Sequence, residues 1–300
     1  MSSITLEGVT ADQLVSMADG LVASGQPGLA AQIYTVALKR AAPHARRRIR
    51  VRLGIANIPT RRTLVMLETL KALEGIEVSS PFVGDGLATW LKTLPFEDDE
   101  RFLTLADRHA HLLPVVNWQW NLQVALWAVQ EAKEVQGDLV ELGVFKGHTT
   151  LFCAEYVDFQ TWPKRWWLYD TFEGIPEDQR APGWENLNDR TYRDRFSYEE
   201  VTARFAHLPN IRLIKGRVPE SLAESPDRIA FLHVDLNNAP AEIGALEVLF
   251  DRVSPGGIIL FDDFCWSTAR AQYDQEKAWF AARGLRILPI PTGQGLFFKR

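Results

Sequence analysis

Two cysteines in 300 residues, Cys153 and Cys265, are too few for a disulfide framework or a zinc cluster, and they point to a reducing compartment. No stretch reaches the roughly 18 consecutive apolar residues that a membrane-spanning helix needs. The opening MSSITLEGVTADQ has neither the cationic start nor the apolar centre of a secretory leader, so the expected setting is cytoplasmic. Basic charge is also short: 33 Lys and Arg against 38 Asp and Glu leave a net charge of −5, which gives no electrostatic footprint for nucleic acid. The run His44-Ala-Arg-Arg-Arg-Ile-Arg50 is the locally basic stretch, and it reads as the solvated face of a helix.

What is present divides at about residue 80. Residues 11 to 75 carry helix-period apolar positions and no convincing strand. Leu14, Ala18 and Leu21, then Ala30, Tyr34, Ala37 and Leu38, predict two amphipathic helices broken at SGQPG. The small residues Ala18, Gly25 and Ala30, followed by Tyr34, Ala37 and the closing Pro43, resemble one tetratricopeptide repeat. Such units need about three copies to stand alone, so the hairpin is expected to pack on the helices around Arg62 to Leu73 or on a second copy of the chain, as a cap, a dimer arm or a docking site. Residues 81–115 read as a linking segment, with a Pro- and Gly-rich boundary near Ser79 to Asp99. Asn117 to Val135 then predicts an amphipathic helix whose tryptophans serve core and rim.

From Leu139 onward β-rich runs alternate with helical ones: DLVELGV, RWWLYD, NIRLIKG, IAFLHVD, GGIILFDDF, LRILPIP and GLFFKR. Alternation of this kind implies right-handed crossovers and a mostly parallel sheet covered on both faces. In such sheets ligands sit outside the carboxyl ends of the strands.

DLVELGVFKGHTT lies where the first of these strands meets its helix. Gly143 and Gly147 permit a tight turn and close ligand approach, but the spacing is not that of the three-glycine dinucleotide motif. This argues against a nicotinamide oxidoreductase. Glu141 before the turn would repel a pyrophosphate and attract an ammonium group. A Gly-x-x-x-Gly turn taken alone is equally a structural turn. The next strand, RWWLYDTFEGIP, ends in Asp170, where a carboxylate accepts hydrogen bonds from both ribose hydroxyls of a nucleoside. An acid for an amino-acid end and an acid for a ribose together describe S-adenosylmethionine.

VELGVFKG with YDTFEGIP, then FLHVDLNNAPAEIGAL and SPGGIILFDDF, in that order, resemble the class I methyltransferases and most closely the macrocin O-methyltransferase family, over about residues 115 to 300. The resemblance implies an α/β fold: a Rossmann-like seven-stranded methyltransferase sheet with helices on both faces in residues 116–300, added to an all-α region over residues 1–80. It implies cofactor contacts from Glu141, Gly143, Phe145, Lys146, Gly147 and Thr149 in the first turn, from Asp170, Thr171 and Phe172 after the second strand, and from Gly216 and Arg217 near the adenine. It further implies O-methylation of a sugar or natural-product hydroxyl.

Asp235 ends one of these strands, and Asp262 and Asp263 end the next. The methyltransferase strand order makes those strands neighbours, about 4.8 Å apart, so three carboxylates converge. Like charges this close raise one another's pKa unless a cation is present, and an all-oxygen set suits Mg²⁺ or another hard divalent ion. In the resembled family the matching positions hold Mg²⁺, which grips the acceptor hydroxyl. One departure stands out: where many family members carry a second acid, read as a general base, this chain has Asn237, and an amide cannot accept a proton at neutral pH. Either the metal suffices, or His148 or His233 supplies the base, or the site is vestigial and the chain is a binding module. The polar stretch Glu177 to Glu200, with Trp184, Tyr192, Phe196 and Tyr198, is placed to act as a lid. The terminal PIPTGQGLFFKR resembles the family's last hairpin, with Gly293 and Gly295 at its turn.

Overall fold

The computed structural model describes residues 8–42, 45, 46, 49, 52, 53, 82–89, 92–112, 118–180 and 197–300. Much of the basic run His44 to Arg50, the helical segment expected near Arg62 to Leu73 and most of the lid stretch lie outside the described residues. The chain divides into two compact units, residues 1–82 with 88–92, and residues 83–87 with 93–300.

In the first unit, helix α1 (Ala11–Ala23) begins at a capping box in which Thr10 and Gln13 satisfy each other's backbone N–H groups. Helix α2 (Pro27–Arg40) begins with proline at its first turn, where no N–H is needed. Leu14 and Ala18 pack against Ala30, Ala31, Ile33, Tyr34 and Ala37. The alanines bring the two backbones close, as the periodicity requires, and the Tyr34 hydroxyl donates to Asp19.

The second unit is built on a seven-stranded sheet. Strands β1 (Phe82–Gly84) and β2 (Leu87–Thr89) form a separate two-stranded hairpin. The sheet comprises β3 (Asp138–Leu142), β4 (Trp166–Asp170), β5 (Ile211–Lys215), β6 (Ile229–Val234), β7 (Val253–Phe261), β8 (Leu288–Pro289) and β9 (Gly295–Phe298). Their spatial order is β5-β4-β3-β6-β7-β9-β8. The first five pair in parallel, while β9 runs antiparallel to both β7 and β8. The order reverses between β3 and β6, which is the switch point where a doubly wound sheet binds its ligand.

Residues alternate between the two faces of each strand. Val140, Leu142, Trp167, Tyr169, Leu232, Val234, Ile259 and Phe261 enter one core with helix α7 (Ala239–Leu249) and helix α8 (Arg270–Ala281). The alternate positions include Trp166 and Phe231, which meet edge to face, and Trp166 also meets Phe159. On this side stand α3 (Glu100–His109), α4 (Gln119–Glu131) and α5 (His148–Tyr156), with Phe102 of α3 against Phe152 of α5. Helix α4 is shorter at both ends than its sequence pattern predicts. A further short helix, α6 (Tyr198–Arg204), precedes β5.

Candidate functional site

The turn from β3 into α5 is forced by its glycines. Gly143 has φ +87°, and a Cβ placed on it would lie 1.8 Å from the carbonyl oxygen of Asp235. Gly147, at φ +81°, is the cap of α5, and a Cβ there would strike the Phe205 ring. Only glycine serves at either place without moving backbone or core.

Asp170, at the end of β4, ties two turns together. Its Oδ2 accepts from the backbone N–H groups of Val144 and Phe145, each at 2.8 Å, and its Oδ1 accepts from Phe172 N–H at 2.7 Å. The same carboxylate borders a cavity of about 230 Å³ at the carboxyl ends of the strands. Gly143, Phe145, Thr149, Thr171 and Gly216 line that cavity, together with Asp235, Asn237, Asp262 and Asp263.

The sequence therefore identified ten residues that the fold gathers round one cavity. Six others do not line it. Glu141 is buried within the sheet, where it accepts from the Thr150 hydroxyl and from His233 Nδ1 at 3.0 Å. His148 is buried beyond the cavity wall; burial first, then His109 and His111, lower its pKa to about 3, so it stands neutral. Phe172 turns into the core against Tyr198. Arg217 is engaged by Asp178 at 2.6 and 2.9 Å. Lys146 lies over the Phe145 ring, and Gly147 shapes the turn. Conversely, Trp118, Gln179 and Asn238 line the cavity without having been singled out.

The acid cluster has a defined support. Asp262 Oδ1 accepts from Asn121 Nδ2 at 2.9 Å and from Gln294 Nε2 at 3.3 Å, and His233 Nε2 stands 3.7 Å away. Burial opposes charge on His233, but the carboxylates of Asp262 and Glu141 outweigh it and raise the imidazole to about 10. Burial also opposes charge on Asp262, where His233, Asn121 and Gln294 outweigh it and hold the group below its ordinary range. At Asp235 the balance goes the other way: burial first, then Asp262 and Asp263, outweigh the attraction of His233 and push it well above the carboxylate range. Asp263 is raised in the same way by burial, Asp262 and Glu242. Asn237, at φ +57°, donates from Nδ2 to Asp235 Oδ1 at 3.0 Å.

The donor set of Asp235, Asp262 and Asp263 consists of carboxylate oxygens, the donor type that hard divalent cations take. Among the described residues, no group of three or more His, Cys, Asp or Glu side chains stands in an arrangement that could hold a metal ion. Among them also, no helix is long and apolar enough to cross a membrane.

Residues 118–281 match the family model for macrocin-O-methyltransferase (TylF). A 160-residue stretch covering 50% of this chain is 31% identical to the 8-demethyl-8-(2,3-dimethoxy-alpha-L-rhamnosyl)-tetracenomycin-C 4'-O-methyltransferase of Streptomyces olivaceus, of which it covers 61%. A 148-residue stretch is 26% identical to the mycinamicin III 3''-O-methyltransferase of Micromonospora griseorubida, covering 45% of this chain and 58% of that protein. The matches thus span about three fifths of these relatives' lengths. Among solved structures, the O-methyltransferase NovP superposes with a TM-score of 0.51 at 23% identity over 60% of this chain and 79% of that one, which shows a shared fold.

Proposed function

The chain belongs to the macrocin-O-methyltransferase (TylF) family, and from that premise we propose that it transfers a methyl group from S-adenosylmethionine to a hydroxyl of a sugar or natural-product acceptor. The observation that carries this reading is the single cavity bordered both by the Gly143–Asp170 turns and by Asp235, Asp262 and Asp263.

The cofactor side is supported by fit. Gly143, which borders the cavity, lets the turn after β3 pass directly against the Asp235 carbonyl, and Asp170 offers a carboxylate whose position three backbone N–H groups have already fixed. When bound there, S-adenosylmethionine supplies a sulfonium methyl group. The acceptor oxygen forms a bond to the methyl carbon, the carbon–sulfur bond breaks with its electron pair going to sulfur, and the hydroxyl proton leaves to a base. Holding the two reactants in line is the main contribution of such a site.

The base is not Asn237, whose amide donates to Asp235 rather than accepting. Nor is it His148 or His233, neither of which lines the cavity. The carboxylates of the acid trio remain, with Asn237 positioning Asp235. Although the described side chains do not stand as a formed metal set, the chemistry of Asp235, Asp262 and Asp263 makes them the groups that would hold Mg²⁺ or a similar cation if one bound, and it would lower the pKa of the acceptor hydroxyl. Support comes from the mutual repulsion of these acids, which a dication would relieve.

The test is calorimetric titration of metal-stripped protein with S-adenosylhomocysteine, then with Mg²⁺. Micromolar binding of S-adenosylhomocysteine is the expected result, and its absence in the wild-type protein overturns the reading.

A further inference from the structure

Resting on that reading, the geometry points to Trp118 as the acceptor platform: an indole braced to carry the C–H face of a pyranose ring beside the acid trio. Trp118 is half-buried and borders the cavity that Asp235, Asp262 and Asp263 also border. One side of its ring lies on Trp266, stacked with centroids 6.0 Å apart and planes 7° from parallel.

Trp266 is itself held in a slot made by two glycines. A Cβ on Gly86 would fall 2.7 Å from its ring, and one on Gly293 would fall 2.2 Å from its Nε1. Two backbone positions at positive φ are thus kept free of side chain to seat one indole. That indole in turn stacks with a second, Trp118, which borders the cavity. Trp266 also lies three residues after Asp263 and donates its backbone N–H to the Asp263 carbonyl, so the plate and the acids share one short segment.

The first turn of α4 makes the link tighter. Asp85 caps it through the N–H groups of Trp120 and Asn121 at 2.9 and 3.0 Å. Asn121, three residues after Trp118, reaches Asp262 at 2.9 Å. One helix start therefore positions both the aromatic plate and a carboxylate of the reaction centre.

A tryptophan face accepts either a planar aromatic ring or the flat C–H face of a sugar. The rest of the wall decides between them. Gln179 Nε2 and the Asn238 amide are already bonded to Val218, Leu236 and Ala241, so the groups left to an acceptor are chiefly the carboxylates of Asp235, Asp262 and Asp263, which suit a ring that presents donor hydroxyls from several carbons. Buried polar groups left without partners are costly. A pyranose stacked on Trp118 directs its equatorial hydroxyls outward from the ring edge toward the acids, whereas an acyclic polyol has no face to stack.

The test uses the full chain saturated with S-adenosylhomocysteine and Mg²⁺, probed by saturation-transfer NMR with methyl α-L-rhamnopyranoside, methyl β-D-glucopyranoside, catechol and mannitol. Wild-type protein is expected to bind at least one pyranoside, with strongest transfer to its ring C–H protons. Trp118→Ala should weaken that binding about ten-fold, and Trp118→Phe should keep most of it. Both variants should retain wild-type affinity for S-adenosylhomocysteine, which excludes misfolding. Unchanged pyranoside binding in Trp118→Ala, no pyranoside binding in the wild type, or a wild-type preference for catechol overturns the inference while leaving the methyltransferase reading in place. Failure of the wild type to bind S-adenosylhomocysteine removes both.

Discussion

His233 faces Glu141 across the paired strands β6 and β3, Nδ1 to Oε1 at 3.0 Å, and the pair lies wholly inside the protein. The acid that precedes the glycine turn is therefore a partner to a buried cation before any ligand arrives. Breaking a buried pair by removing one member costs about 3–5 kcal/mol, because the other charge is left uncompensated. We expect Glu141→Ala to lower stability by that amount in urea denaturation. The double variant Glu141→Gln/His233→Gln should recover part of it, and equal losses in single and double variants would refute the coupling.

Asp170→Asn keeps the side-chain shape but removes the charge that three backbone N–H groups converge on. It should weaken S-adenosylhomocysteine binding on the order of 10- to 100-fold, since hydrogen bonds to a charged group contribute about 1.5–3 kcal/mol. Isothermal calorimetry reads the affinity, and a thermal melt checks that the sheet persists.

Gly143→Ala puts a methyl group against the Asp235 carbonyl and an L side chain at φ +87°. Strain of this kind costs about 1–3 kcal/mol, and relief requires the ends of β3 and β6 to separate. Cofactor affinity and stability should fall together. A variant with wild-type affinity would show that this approach is not needed for binding.

Asp262→Asn should abolish the calorimetric Mg²⁺ signal and leave S-adenosylhomocysteine affinity within about two-fold, because Asp262 lies on the acid side of the cavity and not among the cofactor turns. Chelation of the wild-type enzyme should lower turnover in parallel. Full turnover in the presence of chelator would overturn the metal assignment.

Acid sensitivity should come in part from His148. Its folded-state pKa of about 3 lies below the ordinary 6.5, so the unfolded chain takes up a proton that the folded one refuses. The associated stability is present above about 6.5 and is lost as pH falls toward 3. Replacing it with phenylalanine removes that term. The stability of wild type relative to His148→Phe should decline across this interval in urea midpoints, and a pH-independent difference would mean that His148 is solvated.

The strands and the acids at their tips were legible because they depend on local patterns: apolar runs of strand length, glycines at fixed offsets and carboxylates just past the last apolar residue; the order of the strands came from the resemblance to methyltransferases. Asp170, Asp235, Asp262 and Asp263 all border the cavity for that reason. What the pattern could not give is which partner a side chain meets from far along the chain. Glu141 was read as ligand-facing, yet register places it opposite His233, 92 positions on. Arg217 was assigned to the adenine, but Asp178 is in bidentate contact with it. Trp118 read as core or rim because amphipathic spacing says only that a residue is half-buried. The signal that would have marked it is the pairing of Gly86 and Gly293 around Trp266, which is invisible until the fold brings them together.

Gln294 lies between β8 and β9 and reaches Asp262 from a position downstream of every residue that borders the cavity. During synthesis the glycine turn, the ribose-side carboxylate and all three acids therefore emerge before the amide that steadies one of them. A nascent chain thus carries every residue that lines the cavity before it carries the amide that braces Asp262.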